Sequence, residues 1–174
     1  TKKEIKEKQL YYEKLFYEGK YFTLRDLLEQ NLIEEPDNVD HFIKLGAVYK
    51  ELQNYSLSEG AYIKAIQLKP THPYVYSAYG ELFFHIGLMD RALKQYDIAL
   101  SFDKNYHLSL YGKGQALLKK GDYNEALKCF ERALKSNPGA EDLIKSIGVT
   151  YRKLNLFKES ADAYKSISIE KYKD

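Results

Sequence analysis

The sequence predicts an all-α fold, an α-solenoid of about five antiparallel helix hairpins, each 34 residues long. Three observations predict it. Gly46, Gly80, Gly114 and Gly148 recur at intervals of 34 residues. Around each glycine, apolar residues are spaced three and four apart, which is the mark of a helix that buries one face. Turn-forming residues recur at the same point of every interval, and prolines close three of them. Five such units occupy residues 5–38, 39–72, 73–106, 107–140 and 141–174 as one uninterrupted array.

Within each unit the pattern divides into two helices. In the second unit, Phe42, Leu45, Gly46 and Tyr49 make one stripe, and Tyr55, Ser58, Tyr62, Ala65 and Ile66 make the next. The third unit offers Tyr76, Tyr79, Gly80, Phe83, Ala92, Tyr96 and Ala99. The fourth offers Leu110, Gly114, Leu117, Ala126, Phe130 and Ala133, and the fifth Ile144, Ile147, Gly148, Tyr151, Phe157, Ser160 and Tyr164. Gly19, Gly87 and Gly121 mark the turn inside the hairpin, with Asn54 and Asn155 near the same place in the other units. Pro36, Pro70 and Pro138 follow the second helix, which a proline cannot continue. Small residues at Gly80, Ala92 and Ala99 let two helix backbones approach while large rings fill the space beside them. The first unit departs from this. Tyr12, Leu24 and Asn31 stand where small residues are usual, so its helices are expected to pack at altered spacing. A single hairpin cannot bury both of its faces, so stacking builds the core.

Composition narrows the function. With 27 Lys and Arg against 25 Asp and Glu, the net charge of +2 provides no broad electrostatic footprint for nucleic acid or an anionic membrane. No apolar run approaches the roughly 20 residues a membrane span needs, so no membrane insertion is expected. A single cysteine, Cys129, excludes an internal disulfide and argues against a cysteine metal site; it fits a reducing, cytoplasmic setting and is expected to pack half-buried. His41, His72, His85 and His107 fall at unrelated places in the repeat and do not converge on a ligand set; His72 and His107 are expected in turns. Gly112 and Gly114 lie within a helix and follow no strand, so they form no phosphate loop. The pair Lys119-Lys120 is most simply a solvated face. No cofactor, metal or catalytic residue is expected.

Phe42-x2-Leu45-Gly46-x2-Tyr49, then Ala126-x3-Phe130 and Pro138, resemble the tetratricopeptide repeat pattern of an aromatic, x2-Leu-Gly-x2-Tyr, Ala-x3-Phe and Pro. The resemblance covers nearly the whole chain. The opening aromatic becomes Leu110 and Ile144 in two units, and Lys113 replaces a leucine. What the resemblance implies is a right-handed superhelix whose first helices line a concave groove for a segment of another protein. Carried residue by residue onto this chain, the groove comprises Lys44, Tyr74, Ser77, Ala78, Glu81, Phe84, Leu108, Tyr111, Gln115, Leu118, Lys119, Lys145, Arg152 and Lys153. Ala78, Gly112 and Ser146 would floor it. Its centre is aromatic and apolar and its far end basic, so the expected partner is a peptide segment with a bulky apolar residue and an acidic flank. Tyr111 is expected to face this groove and not the hairpin core.

The family's carboxylate clamp needs Lys, Asn and Arg at set places. This sequence has Gln9, Glu13, Lys44, Tyr74 and Ala78 in one frame, Ile43 and Ala47 in a second, and Ser77 and Glu81 in a third. None supplies the donors. The expected function is therefore a non-enzymatic scaffold or adaptor, with a regulatory or substrate-presenting region of a larger enzyme as the alternative. A base-reading helical-repeat array would demand a strongly basic groove, which the charge does not provide. Because Tyr164 and Ile167 lack a covering helix within the sequence, either a longer natural chain or weak self-association is expected.

Overall fold

A computed structural model describes residues 2–170, with side chains for 3–167. Ten α-helices follow in chain order: α1 Lys2–Tyr17, α2 Tyr21–Glu34, α3 Val39–Glu51, α4 Tyr55–Leu68, α5 Pro73–His85, α6 Met89–Phe102, α7 His107–Lys120, α8 Tyr123–Ser136, α9 Glu141–Lys153 and α10 Phe157–Glu170. No strand occurs among the described residues. Each hairpin pairs an odd-numbered helix with the one after it. The chain divides into two compact units, α1–α4 and α5–α10, with the boundary after Thr71. That boundary falls beside Pro70, at the end of a sequence repeat.

The turn inside every hairpin has one construction. Lys20, Asn54, Leu88, Asp122 and Leu156 each donate their backbone N–H to the carbonyl five residues earlier, at 2.8 to 3.0 Å. Such a turn needs one residue in the left-handed region, which glycine enters without a Cβ penalty. Gly19, Gly87 and Gly121 take it at φ of 69°, 85° and 90°. In the remaining hairpins the residues are Gln53 at φ 60° and Asn155 at 61°. Asn54 closes its turn as the residue just before α4, while its neighbour Gln53 takes the left-handed conformation.

Glycines inside the first helices set the helix spacing. A Cβ on Gly46 would lie 2.6 Å from the Tyr62 ring, on Gly80 2.7 Å from Tyr96, on Gly114 2.5 Å from Phe130, and on Gly148 2.9 Å from Tyr164. Each ring sits 16 residues after its glycine. Ser58 and Ser160 add a bond that alanine cannot, donating Oγ–H to the carbonyls of Gly46 and Gly148 at 2.7 and 2.8 Å.

In the first unit, Tyr12, Leu15, Leu24, Leu28, Leu45, Val48 and Ala61 form the core. The large and small partners of the glycine contact are exchanged here, with Tyr12 in the glycine position and Leu28 in the ring position. Tyr12 is buried, and Asn31 satisfies its hydroxyl by donating Nδ2–H to Oη at 2.6 Å, while Lys8 donates to Asn31 Oδ1 at 2.9 Å. The expected altered spacing is found: α1 and α2 approach less closely than α3 and α4. His41 is buried beside Tyr12, ring to ring at 6.0 Å, and burial lowers its pKa.

In the second unit, α6 packs on α7, α8 on α9, and the first helices α5, α7 and α9 neighbour one another in order. Its core joins Leu110, Leu117, Ala126, Cys129, Phe130, Ala133, Leu143 and Ile147. Cys129 is more deeply buried than expected, at 6% exposure, and burial pushes its thiol pKa up, which leaves it a poor nucleophile. His72 precedes α5 without making a side-chain cap, and His107 opens α7 where a turn was expected. Among the described residues, no group of three or more His, Cys, Asp or Glu could hold a metal ion, and no helix is long and apolar enough to cross a membrane.

Candidate functional site

The helices α5, α7 and α9 carry all the expected groove residues except Lys44, which lies half-buried on α3 in the other unit. At Gly112, expected at the floor, packing leaves no room for a side chain. A Cβ on Gly112 would lie 2.5 Å from the Tyr96 ring, so no side chain fits there without displacing Tyr96. That ring is itself enclosed, and its hydroxyl pKa is raised by burial and then by the Glu81 charge.

Two contacts join the three helices through expected site residues. Lys119 on α7 holds its Nζ 4.3 Å from the centre of the Phe84 ring on α5. At this distance the ring face attracts the ammonium by about 0.5–2 kcal/mol. From α7 to α9, Gln115 donates through Nε2 to Ser146 Oγ at 3.1 Å, and the same nitrogen donates to Tyr111 Oη at 3.0 Å, one helical turn back. Ser146 Oγ–H in turn donates to the carbonyl of Asp142 at 2.8 Å.

The other expected residues divide by exposure. Tyr74 and Leu108 are 42% and 41% exposed, opening α5 and α7 with apolar surface. Ser77 is buried, Ala78 half-buried and Glu81 exposed. Leu118 and Tyr111 are half-buried and pack against the core, with the Tyr111 ring 6.0 Å from that of Phe130. The expectation that Tyr111 faces away from the hairpin core is therefore corrected: one side of its ring belongs to the core, and its hydroxyl reaches Gln115.

The basic end is also less free than its composition suggests. Lys145 reaches Glu141 at 2.7 Å and Asp142 at 3.9 Å, and the bond to Glu141 raises its pKa. Arg152 and Lys153 stay exposed in the last turn of α9. The pair Lys119-Lys120 does not form a merely solvated face, since Lys119 covers Phe84 and Lys120 reaches Asp90 at 2.5 Å. One partner of the site, Glu141, lies outside the residues expected from sequence, and one pairing between expected residues was not foreseen. Glu141 could have been found from its i, i+4 spacing to Lys145. The pairing of Gln115 with Ser146, 31 residues apart, leaves no local signal.

Comparison with known proteins gives a consistent family. Tetratricopeptide repeat family models match residues 43–106 and 107–139. Anaphase-promoting complex subunit 3 of Schizosaccharomyces pombe is 24% identical over 160 residues, which is 92% of this chain and 24% of that protein. Protein O-mannosyl-transferase TMTC1 of Mus musculus is 31% identical over 115 residues, 62% of this chain and 12% of its own length. The chain thus spans a quarter or less of these two relatives. Among solved structures, MamA superposes with a TM-score of 0.75 at 22% identity, covering 93% of this chain and 95% of that one. Pseudomonas aeruginosa pilF gives 0.82 at 17%, covering 91% and 72%. YrrB, described as a tetratricopeptide repeat protein with an unusual peptide-binding site, gives 0.66 at 18%, covering 93% and 84%.

Proposed function

Because this chain belongs to the tetratricopeptide repeat family, we propose that α5, α7 and α9 present a binding face for a segment of another protein, and that the chain is a scaffold or adaptor that catalyses nothing itself. The observation that carries this reading is the linkage of three successive first helices through Phe84–Lys119 and Gln115–Ser146. These contacts hold polar and aromatic groups in place before a partner arrives, which lowers the ordering cost of binding. Tyr74 and Leu108 add exposed apolar area, the kind of surface that dominates binding once desolvated. The partner segment in this reading carries a bulky apolar residue. An acidic flank would meet Arg152 and Lys153, which are not tied to a carboxylate on their own helix as Lys145 is, and would speed encounter more than it strengthens the complex. Affinity is expected in the micromolar range, about −8 kcal/mol. A reducing, cytoplasmic setting suits the buried free Cys129.

A second reading has one observation in its favour. The match to a protein named as a mannosyl-transferase covers a small fraction of that protein, as a regulatory or substrate-presenting region within a larger enzyme would.

The test is affinity capture from an extract of the source cells, with calorimetry on the captured partner. The double variant Phe84→Ala/Lys119→Glu should lose capture, and Lys94→Glu on the second helix α6 should retain it. Normal capture by the double variant with loss in Lys94→Glu would move the partner to the second helices. Arg152→Glu should slow association and flatten its salt dependence.

A further inference from the structure

We infer that the face between α7 and α9 recognises a primary carboxamide, the side chain of an asparagine or glutamine in the partner segment, through Tyr111 and Gln115; this rests on the binding-face reading above and names what that face selects. The hydrogen bonds determine which groups remain available. Ser146 has one hydroxyl proton and donates it to the Asp142 carbonyl at 2.8 Å. Towards Gln115, 3.1 Å away, Ser146 Oγ can only accept. The atom of Gln115 placed there must therefore be the nitrogen, Nε2, and the orientation of the amide follows. The second Nε2 proton goes to Tyr111 Oη at 3.0 Å. Both amide protons are then used. The proton of Tyr111 and the lone pairs of Gln115 Oε1 remain for another molecule.

One donor and one acceptor, uncharged and adjacent on half-buried side chains, complement one edge of a primary carboxamide. Its N–H donates to Gln115 Oε1 and its carbonyl accepts from the Tyr111 hydroxyl. A carboxylate of the same shape offers two acceptors, and one of them would confront Oε1. The lysines nearest along these helices are drawn to other groups, Lys113 to Asp97, Lys119 to the Phe84 ring and Lys145 to Glu141. A leucine in the same place leaves both protein groups unpaired. Sites built from paired hydrogen-bonding groups reject such analogues more strongly than apolar pockets do.

The probes are soluble short-peptide libraries, random at every position except a central one fixed as Gln, Asn, Glu or Leu, captured on the immobilised protein at equal concentration. The Gln or Asn library should be retained about tenfold better than the Glu and Leu libraries, as one well-made pair of hydrogen bonds allows. Tyr111→Phe removes the donor and keeps the ring, so it should bring capture of the Gln and Asn libraries down to the level of the Glu and Leu libraries. Ser146→Ala releases the amide to turn over and should weaken the preference without touching the peptide; it also serves should Tyr111→Phe misfold. Equal capture of all libraries, dependent on Phe84 and Lys119, overturns the carboxamide inference and leaves the binding face standing. Capture that ignores the central side chain but is lost when the peptide backbone is N-methylated likewise overturns the inference alone. Absence of any capture that responds to Phe84→Ala/Lys119→Glu removes the binding face and the inference together.

Discussion

Gly114 and Gly148 occupy the same place in successive repeats, yet a methyl group added to each meets a different neighbour. At Gly114 the new Cβ would stand 2.5 Å from Phe130, a fully buried ring with nowhere to go. Alanine gains about 1 kcal/mol in helix propensity over glycine, but overpacking an enclosed site costs about 1–3 kcal/mol. Gly114→Ala should therefore lower the urea midpoint. At Gly148 the facing ring is Tyr164, 37% exposed and able to swing outward, so Gly148→Ala should leave the midpoint unchanged or raise it. Equal losses at both sites would show that Tyr164 is as confined as Phe130. Gln53 poses the reverse case. Its left-handed backbone costs about 1–2 kcal/mol, of which glycine would recover part after its own entropy loss of roughly 0.5–1 kcal/mol. Gln53→Gly should raise stability by about 0.5–1 kcal/mol in a thermal melt, and Asn155→Gly by less, because asparagine tolerates the conformation better.

Between elements, the contact of α7 with α8 rests on small side chains meeting large ones. Ala126 is fully buried in the α8 core beside Phe130. Ala126→Leu has no space to enter and should cost about 1–3 kcal/mol in chemical denaturation; an unchanged midpoint would mean the helices cross elsewhere. Tyr111 shows how packing modifies a site residue. Its ring lies against the core near Phe130, so Tyr111→Glu should lower stability by about 1–3 kcal/mol through an ill-solvated carboxylate. Tyr111→Phe should melt as the wild type does. The alternation of large and small residues was legible from the 34-residue register in four repeats. In the first it was not, because Tyr12 and Leu28 exchange sizes and the hydroxyl of Tyr12 needs Asn31 as its partner.

Across the molecule, buried tyrosines contribute to the alkaline limb of stability, beside lysines whose pKa a bond to a carboxylate raises. Burial is the leading cause that raises the pKa of Tyr12, Tyr96, Tyr106 and Tyr151, and it acts with a hydrogen bond to the Glu29 carboxylate to push Tyr49 up to about 12. Each group holds its proton more tightly folded than unfolded. The stabilisation is thus complete below the unfolded value near 10 and is lost as pH rises from there through the folded value. Denaturation midpoints should fall steeply above about pH 10, and Tyr49→Phe should make that fall shallower while changing little at neutral pH. Phenolate absorbance rising in one step with loss of helicity would report the same coupling. A phenolate signal complete before any helix is lost would contradict it.

Residue spacing alone specifies the number of hairpins, their order and the turn positions, because these depend on periodicity within a few turns of one helix and on the conformational freedom of glycine. It also specifies which helices carry the candidate face, since a 34-residue register transfers every position from one unit to the next. Which atoms of that face remain available is settled in three dimensions. Lys145 is drawn to Glu141, Lys119 to Phe84, and Gln115 is oriented by a serine 31 residues away. Helix periodicity specifies the side of a helix from which a residue projects. The hydrogen bonds and ring contacts it makes there depend on the helix packed beside it, which folding of the whole chain supplies.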